Sequence, residues 1–557
     1  MGDELKKVYG IDLGTTYSCI SHVDEHGKAV IIQNSENERI TPSVVFFEDD
    51  NVIVGQVAKE NATLYPEDVV SFIKRAMGDP NFYFEKNDKT YSPEEISSYV
   101  LRKLVGDASE ILGEKIEDVV ITCPAYFGIN EREATKLAGE IAGLNVRQIL
   151  NEPTAAAVTY GLADTDQEKV TLVYDLGGGT FDITMIDIKP DAIQVICTGG
   201  DHNLGGKDWD DAIVRYISSQ FQEQTGSRED ILDDPETYQD VQISAEKSKK
   251  TLSTRGKAPI SVTHGGERAK VELTQEKFNE LTGDLLERTI NLTHDMLKEA
   301  EKKGYKSFDE ILLVGGSTRM PQVKVRVEQE FKDIPVKVFD PDEAVAKGAA
   351  LYAWKLSIND ELIKRIADST GKEATEIEDL TKEDFEKDKM LASVAQEVAD
   401  DTGFTLAAIK STAIQIKNVT SKSFGVVILN EKKEEKVFNL VMKNSDIPIE
   451  VSQEFYTVEA NQARVDLIVK ENELSKETLD PDIAVEIGKA VLNLPAGLPE
   501  GSPIEVIFNL NKEGRLLMTG IEKTKSQKVE ASIDTTSVIS GKELEEAKQR
   551  NQDTEVT

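Results

Sequence analysis

The sequence predicts an α/β protein of two similar lobes, followed by an all-β domain. Over residues 1–355, short apolar runs alternate with amphipathic helical stretches, which is the pattern of an α/β domain. A glycine-rich turn between two strand-like runs occurs twice in this part, and this repetition indicates two lobes of similar design. Over residues 412–535, apolar residues recur at every second position between polar turns, which indicates an all-β domain.

The composition is that of a soluble globular protein with a strong negative charge. The 557 residues are 39% hydrophobic and 30% charged, and the net charge is −37. A field of that sign repels phosphate backbones and anionic lipid, so we expect neither nucleic acid nor a membrane surface as partner. The three cysteines lack metal-ligand spacing, and there is no apolar leader or membrane-spanning run, so we expect a cytoplasmic protein.

The two glycine-rich turns carry the strongest functional signal. They have the sequences DLGTT at residues 12–16 and DLGGGT at residues 175–180. Glycine lets backbone N–H groups approach an anion, threonine hydroxyls add donors, and the leading aspartate is placed to orient a metal-bound water. Two such turns facing each other would hold a polyphosphate from both sides. An ordinary hairpin is the alternative for either turn alone, and the repetition disfavours it.

Four carboxylates are predicted near these turns. Glu152 precedes Pro153, which sets a turn that could direct its carboxylate inward, and Asp12, Asp175 and Asp182 lie at the glycine turns themselves. Because Mg²⁺ prefers oxygen ligands and keeps several waters, we expect these acids to hold its hydration shell rather than the ion directly. A solvated turn is the alternative for each acid taken singly.

Two further segments are candidates for the base side of a nucleotide site. Gly315 and Gly316 follow an apolar run, and glycines let the backbone lie against a flat adenine ring. Glu246, Lys249 and Ser253 fall at helical offsets of three and four, hence on one face of a helix. A solvated surface stripe is the alternative for this face.

Residues 356–411 are predicted to be an acidic helical insertion and linker region. Thr381 and Asp384 form a capping-box pattern at a helix start. The apolar positions that then recur at helical spacing are Phe385, Leu391, Val394 and Val398. This face needs a covering surface, either the segment's own first helix at about residues 359–369 or a domain surface, and we expect a small helical hairpin packed at the domain junction. A mobile acidic tether is the alternative.

Several segments resemble the DnaK-type, seventy-kilodalton heat-shock chaperone family. Those in the first domain follow the family's order and are residues 10–18 (GIDLGTTYS), 124–127 (PAYF), 151–157 (NEPTAAA), 174–182 (YDLGGGTFD), 314–321 (VGGSTRMP) and 340–346 (DPDEAVA). Looser similarity to the family's peptide-binding domain occurs at residues 443–448 (KNSDIP), 459–462 (EANQ) and 504–508 (IEVIF).

The resemblance implies an actin-like ATPase domain over residues 1–355, with ATP and Mg²⁺ between two lobes and K⁺ as a further candidate ion. It implies that Lys74 stabilises the transferring γ-phosphoryl, while Glu152 and Asp175 order the water and the Mg²⁺ shell. The implied catalytic residues are Asp12, Lys74, Glu152, Asp175 and Thr180, of which Asp12 and Asp175 reach the metal through water. The implied nucleotide-binding residues are Gly14, Thr15, Thr16, Tyr17, Gly177, Gly178, Gly179, Asp182, Glu246, Lys249, Ser253, Gly315, Gly316, Ser317, Arg319 and Asp342. Pro124 and Arg132 correspond to the family's relay between the nucleotide and the second domain.

For residues 412–535 the resemblance implies a peptide-binding β-sandwich, which holds an extended apolar segment by main-chain hydrogen bonds and a pocket. The pocket candidates are Val426, Leu429, Val458, Val465 and Leu467. The implied function is that of an ATP-dependent chaperone for unfolded or extended polypeptides, with a J-domain co-chaperone and a nucleotide exchange factor as candidate partners. Two alternatives stay open: a non-hydrolysing holdase or co-chaperone relative, and a sugar kinase or filament-forming protein of the actin-like fold.

The sequence departs from the family in ways that concern the coupling between its domains. The helical insertion stands where the family has a few residues, and the linker at residues 414–419 (IQIKNV) offers less apolar surface than the usual leucine run. Gly128 and Ile129 replace polar residues, and Gln148 occupies the position of an expected arginine, with Arg147 one position earlier. Residues 536–557 form a short polar tail, so the family's helical lid is expected to be essentially absent.

Overall fold

The computed structural model describes residues 5–49, 51–163, 168–374, 377, 380–512, 514–524, 527–532, 539 and 541–557. Among these described residues, the structure contains no helix that could span a membrane.

The first lobe is built around a mixed sheet. Its strands are β1 (Val8–Asp12), β2 (Tyr17–Val23), β3 (Ala29–Ile32), β4 (Thr41–Pro42), β5 (Val44–Glu48), β6 (Asn51–Val54), β7 (Val69–Ser71), β8 (Phe84–Lys86), β9 (Lys89–Tyr91), β10 (Asp118–Cys123) and β11 (Asn145–Asn151). Its helices are α1 (Gln56–Asn61), α2 (Pro93–Leu112), α3 (Ile129–Ile141) and α4 (Glu152–Ala163). The main sheet has the order β11-β10-β1-β2-β3, with β4 paired to β2, and smaller sheets are formed by β6-β5-β7 and β8-β9.

The second lobe repeats this sheet. Its strands are β12 (Lys169–Leu176), β13 (Phe181–Ile188), β14 (Ala192–Asp201), β15 (Lys257–His264), β16 (Glu267–Thr274), β17 (Glu310–Val314) and β18 (Val336–Val338). Its helices are α5 (Gly206–Thr225), α6 (Pro235–Leu252), α7 (Gln275–Lys302) and α8 (Pro321–Glu330). The helix that follows, α9 (Ala344–Thr370), returns to the first lobe and packs on β1, β2, β3 and β10. The order β18-β17-β12-β13-β14 and the strand directions match those of β11-β10-β1-β2-β3. The prediction of two lobes of similar design is therefore confirmed.

The inserted helices pack against the second half of α9. They are α10 (Lys382–Lys387), α11 (Lys389–Thr402) and α12 (Leu406–Ser411). Their shared core contains Phe385, Val394, Val398 and Ile409 against Ile358, Leu362 and Ile366 of α9, with Leu391 partly buried beside it. The predicted packed helical unit is confirmed. The helix expected near residues 359–369 does cover this face, but it is the second half of α9, because α9 is continuous over Ala344–Thr370, with no proline and with its only glycine at Gly348. The boundary predicted between residues 355 and 356 thus falls inside a helix.

The linker docks as a strand on the second lobe. Strand β19 (Gln415–Val419) pairs in parallel with β14, so that Ile193 lies opposite Ile416. Ile414 and Val419 are buried in the core between the lobes. The linker has less apolar surface than the family's leucine run, but main-chain hydrogen bonds and these two side chains attach it to the sheet.

The all-β part forms two antiparallel sheets. Its strands are β20 (Ser423–Leu429), β21 (Glu435–Val441), β22 (Asp446–Ile447), β23 (Ile449–Tyr456), β24 (Arg464–Asn472), β25 (Thr478–Leu479), β26 (Val485–Asn493), β27 (Pro503–Leu510), β28 (Leu516–Glu522) and β29 (Gln527–Ser532). One sheet has the order β25-β21-β20-β24-β26 and the other β23-β27-β28-β29, while β22 pairs with β19. Both sheets contribute to one buried cluster, to which Phe424 and Val469 belong from the first sheet and Val506 and Phe508 from the second.

The C-terminal segment lies on the first lobe. Helix α13 (Gly541–Asp553) packs against α2 and α3, where Arg550 pairs with the buried Glu95 at 2.7 Å. Residues 555–557 extend along β6, and the Val52 amide donates to the Glu555 carbonyl at 2.9 Å. The predicted short polar helix is therefore present. The boundary predicted between residues 535 and 536 lies outside the described residues.

Candidate active site

Two glycine hairpins face each other across the cleft between the lobes. They are the turns from β1 to β2 and from β12 to β13. A Cβ atom on Gly178 would lie 2.1 Å from Thr16 Oγ1, and one on Gly179 would lie 2.3 Å from Thr15 Cγ2. The backbone of one hairpin thus touches the threonine side chains of the other, a close approach that requires glycine. A polyphosphate placed here would meet backbone amides and hydroxyls from both lobes.

One buried lysine and three carboxylates line the cavity at these hairpins. Lys74, in the 3-10 turn Ile73–Ala76, is 5% exposed, and its Nζ atom lies 2.5 Å from Oε1 of Glu152 at the start of α4. Burial and the Glu152 carboxylate raise the pKa of Asp12 to about 7 and raise the pKa of Asp175 above its ordinary range. Burial opposes the charge on Lys74, but Glu152 and Asp12 outweigh it and raise the pKa of the ammonium group. A cation bound beside these carboxyl groups would lower their pKa values and favour their charged forms.

The residues present fit a hydrated Mg²⁺ ion. Within the described ranges, no three His, Cys, Asp or Glu side chains are close enough together to hold a metal directly. Asp182 is buried, its Oδ1 atom accepts the Ala125 amide at 3.0 Å, and its Oδ2 atom has no hydrogen-bond partner among the described residues. Burial and Glu152 raise the pKa of Asp182, as expected for a carboxylate without a cation. Asp12 and Asp175 would hold the ion through its waters.

The base side of the cleft is formed by the second lobe. The turn after β17 contacts the phosphate hairpin directly, because Ser317 Oγ donates to the Gly177 carbonyl at 2.8 Å. On α6, the Lys249 ammonium group lies 2.6 Å from Asp210 Oδ2, and across the opening Arg319 pairs with Asp342. Charged side chains therefore surround a space bordered by the backbone of the glycine turn.

Lysine and carboxylate groups also join the two lobes over the cleft. Glu246 of α6 pairs with Lys59 of α1 and with Lys250, and the Tyr17 hydroxyl accepts from Lys250 at 2.8 Å and donates to Glu246 at 3.1 Å. Burial alone would raise the pKa of Glu246, but the two lysines outweigh burial and lower this pKa to about 2. The sequence analysis missed Lys59 and Lys250, because nothing local distinguishes them among 65 basic residues.

Arg75 is a third residue that sequence reasoning missed. Its Nη2 atom donates to the Gly179 carbonyl and to Asp208 Oδ2, each at 2.6 Å. Arg75 belongs to the first lobe, and its partners belong to the second. It therefore fixes the second glycine hairpin against the turn that carries Lys74. Its position directly after Lys74 is the one signal that the sequence offered.

The structure brings nearly all the predicted nucleotide residues to one cavity of about 700 Å³. Gly179 and Asp182 do not line it. Gly179 instead approaches Thr15, and Asp182 binds the Ala125 amide. The predicted residues that line the cavity are Asp12, Gly14, Thr15, Thr16, Tyr17, Lys74, Glu152, Asp175, Gly177, Gly178, Thr180, Glu246, Lys249, Ser253, Gly315, Gly316, Ser317, Arg319 and Asp342.

The predicted relay lies between this cavity and the β-domain. Pro124 directly precedes the segment that Arg132 holds from α3. The Arg132 guanidinium donates to the Phe127 carbonyl at 2.9 Å and to Asn151 Oδ1 at 2.6 Å, and Asn151 directly precedes Glu152. Contacts through Arg132 and Asn151 therefore connect Glu152, the partner of Lys74, to the segment around Phe127. The β-domain contacts this segment.

The five peptide-pocket candidates divide into two groups. Val426 and Leu467 are buried in the core shared by the two sheets, and Val465 is partly buried against it. Leu429 is 44% exposed and Val458 is 51% exposed. The exposed side chains are accessible to a ligand and the buried ones are not, and the predicted role of these residues stays a prediction.

The fold and the cleft define a two-lobed protein with opposed glycine hairpins in its cleft and an appended β-domain. A family model described as "Hsp70 protein" matches residues 8–85, 79–367 and 374–557. The chain therefore belongs to the Hsp70 family of seventy-kilodalton heat-shock proteins. Proteins of this family are generally ATPases and chaperones that bind ATP with Mg²⁺ and unfolded polypeptides.

Proposed function

We propose that this protein is an ATP-dependent chaperone that hydrolyses ATP between its lobes and binds extended apolar peptide segments in its β-domain. The observation that carries the proposal is the pair of opposed glycine hairpins with the Lys74–Glu152 pair in the same cavity. A binding cleft without turnover needs the glycine turns but not a buried lysine set among carboxylates. We also propose a cytoplasmic location, on the charge and cysteine usage described above.

Hydrolysis needs positioning and charge stabilisation more than covalent chemistry. Thr15, Thr16 and Thr180, with the backbone of the glycine turns, would hold the phosphates in line. The Lys74 ammonium group is placed to stabilise negative charge that develops on the γ-phosphoryl, and Glu152 is placed to orient water. When bound, Mg²⁺ neutralises phosphate charge. Burial keeps these interactions strong, because little water competes for them.

The β-domain would hold peptide by a two-sheet sandwich with a pocket. Main-chain hydrogen bonds to an extended strand give affinity independent of sequence, and an apolar pocket selects side chains. We infer that Val426, Val465 and Leu467 form the floor and that Leu429 and Val458 form the rim. A J-domain co-chaperone and a nucleotide exchange factor are the partners that this activity would use.

Peptide binding is tested by fluorescence anisotropy of a labelled, extended apolar peptide. Leu429→Ser and Val458→Ser change exposed side chains, so the fold should survive, and each should weaken binding several-fold. Leu517→Ser is the matched control, because Leu517 is 42% exposed but lies on β28, away from the candidate pocket. Equal losses in all three variants, or no loss in any, would place the peptide elsewhere.

ATP turnover is tested by single-turnover hydrolysis of radiolabelled ATP with Mg²⁺. Turnover is expected to require Mg²⁺ and to be lost in EDTA. Tight ATP binding without any hydrolysis, in the presence of Mg²⁺ and peptide, would favour the non-hydrolysing holdase. Phosphorylation of a sugar in place of hydrolysis would favour the kinase alternative.

A further inference from the structure

The β-domain contacts the nucleotide domain at the start of α3. The Ser421 hydroxyl donates to the Phe127 carbonyl at 2.8 Å, and the Glu471 carboxylate accepts the Ile129 amide at 3.2 Å. At the edge of this contact, Arg515 pairs with Glu133 at 2.9 Å. Glu471 is 6% exposed, so the docked arrangement places a carboxyl group in the interior of the interface.

Gly128 leaves room for the Glu471 carboxyl group. A Cβ atom on residue 128 would lie 2.4 Å from Oε1 of Glu471, so the carboxyl group would have to move from its present position. The carboxyl group therefore occupies the space that a side chain at residue 128 would fill. This explains one departure noted in the sequence, where glycine and isoleucine replace polar residues after the PAYF motif.

The surroundings of Glu471 disfavour its charge. From α3, Glu131 faces it with a buried oxygen, Oε2, which has no hydrogen-bond partner among the described residues. From the turn before β20, Lys422 faces it but pairs with Glu473, and Glu473 also binds Lys443 at 2.8 Å. Burial and Glu131 together raise the pKa of Glu471 to about 7, against the partial compensation by Lys422 and the Ile129 amide.

We propose that Glu471 and Gly128 form a proton-controlled latch between the domains, in which docking takes up a proton at Glu471. The sign follows from linkage. A carboxyl group that binds its proton more tightly in the docked state favours docking at acidic pH. This stabilisation of the docked state is lost as the pH rises through the pKa that Glu471 has when docked. With an undocked pKa near that of ordinary glutamate, about 4.3, the docking constant should fall about tenfold between pH 6 and pH 8.

The latch lies on the path to the nucleotide cavity. The Phe127 carbonyl accepts from both Ser421 of the β-domain linker and Arg132 of α3. Arg132 also binds Asn151, the residue before Glu152. A proton on Glu471 would favour the docked position of the segment around Phe127. Arg132 and Asn151 connect this segment to the Lys74–Glu152 pair.

Single-molecule energy transfer tests the latch without relying on peptide binding or ATP turnover. Dyes on cysteines introduced at the exposed residues Arg228 and Lys489 report docking, and the three native cysteines are buried. In the wild type, the docking constant should be about tenfold higher at pH 6 than at pH 8. Glu471→Gln, an isostere of the protonated acid, should dock equally at both. If undocked molecules are too rare to count, the Ser421→Ala background should weaken docking, so that docked and undocked molecules can both be counted.

The control variant is Glu486→Gln, an exposed carboxylate on β26, which should keep the wild-type pH dependence. A pH-independent wild type would overturn the proposal, and so would a Glu471→Gln variant that retains the tenfold change. A double-mutant cycle tests the geometry separately. Gly128→Ala should weaken docking in the wild type but have little effect beside Glu471→Ala, where the space is free. Equal effects in both backgrounds would show that the two residues do not meet.

Discussion

Replacing Lys74 by alanine should slow hydrolysis strongly while leaving ATP binding largely intact. Lys74 is the buried ammonium group in the cavity at 2.5 Å from Glu152, and it is placed to meet charge that develops only during transfer. Loss of one such preorganised donor slows a reaction by about 10²–10³, or about 2.7–4 kcal/mol in activation free energy. In the proposed function ATP would be held mainly by the glycine hairpins and the base side, which the change does not touch.

The same substitution should lower the stability of the nucleotide-free protein. It removes the positive member of a buried pair and leaves Glu152 with Asp12 and Asp175, a change that typically costs about 3–5 kcal/mol. Adding Glu152→Gln should restore much of that stability, because the unpaired carboxylate is gone. It should not restore hydrolysis, since the donor is still missing. This contrast separates a catalytic role from a structural one.

The assay is single-turnover hydrolysis at saturating ATP, alongside calorimetric ATP binding and thermal unfolding. Lys115→Ala serves as a matched control, because Lys115 is an exposed lysine of the first lobe and its side chain is 83% accessible. The reasoning would be refuted if Lys74→Ala hydrolysed ATP at the wild-type rate, or if it lost ATP binding as completely as it lost turnover.

Three other outcomes are expected. Phe385→Ala should cost about 3–5 kcal/mol in the helical unit, because the ring is 2% exposed in its core; hydrogen exchange would show lost protection over α11, and unchanged protection would contradict the packing. Peptide bound with ADP should escape within seconds, because α13 packs on α2 and α3 of the first lobe rather than over the β-domain; stopped-flow release over many minutes would contradict this expectation. Arg550→Ala should free the C-terminal segment from Glu95 and expose residues 541–557 to protease, whereas Lys542→Ala, at an exposed helix start, should not.

The sequence predicted the features that depend on local pattern. The glycine turns between strands, the period-two domain and the apolar face around Phe385 each occupy short stretches, and each was found where expected. The cross-cleft pair of Lys59 and Glu246 joins residues 187 positions apart, and no local pattern marks either one. Gly128 was visible only as a departure, because its meaning depends on Glu471, which reaches it by domain docking.

Backbone continuity and docking were also beyond local pattern. Helix α9 runs through the expected domain boundary because both of its halves are covered. The first half packs against the lobes, and the second half packs against the inserted helices. The linker docks through main-chain pairing with β14, which side-chain hydrophobicity cannot show. The C-terminal helix is polar in sequence, yet it buries Ala547 and pairs its arginine with Glu95.

The central claim, that nucleotide in the cleft governs peptide in the β-domain, is tested most directly by mixing ATP with the preformed complex of protein and labelled peptide. ATP with Mg²⁺ should accelerate peptide release in wild type and in Lys74→Ala, because ATP binding precedes hydrolysis and both should bind ATP. ADP should leave the release rate near its starting value. Identical release rates with ATP, with ADP and without nucleotide would contradict the account, because the two sites would then be independent.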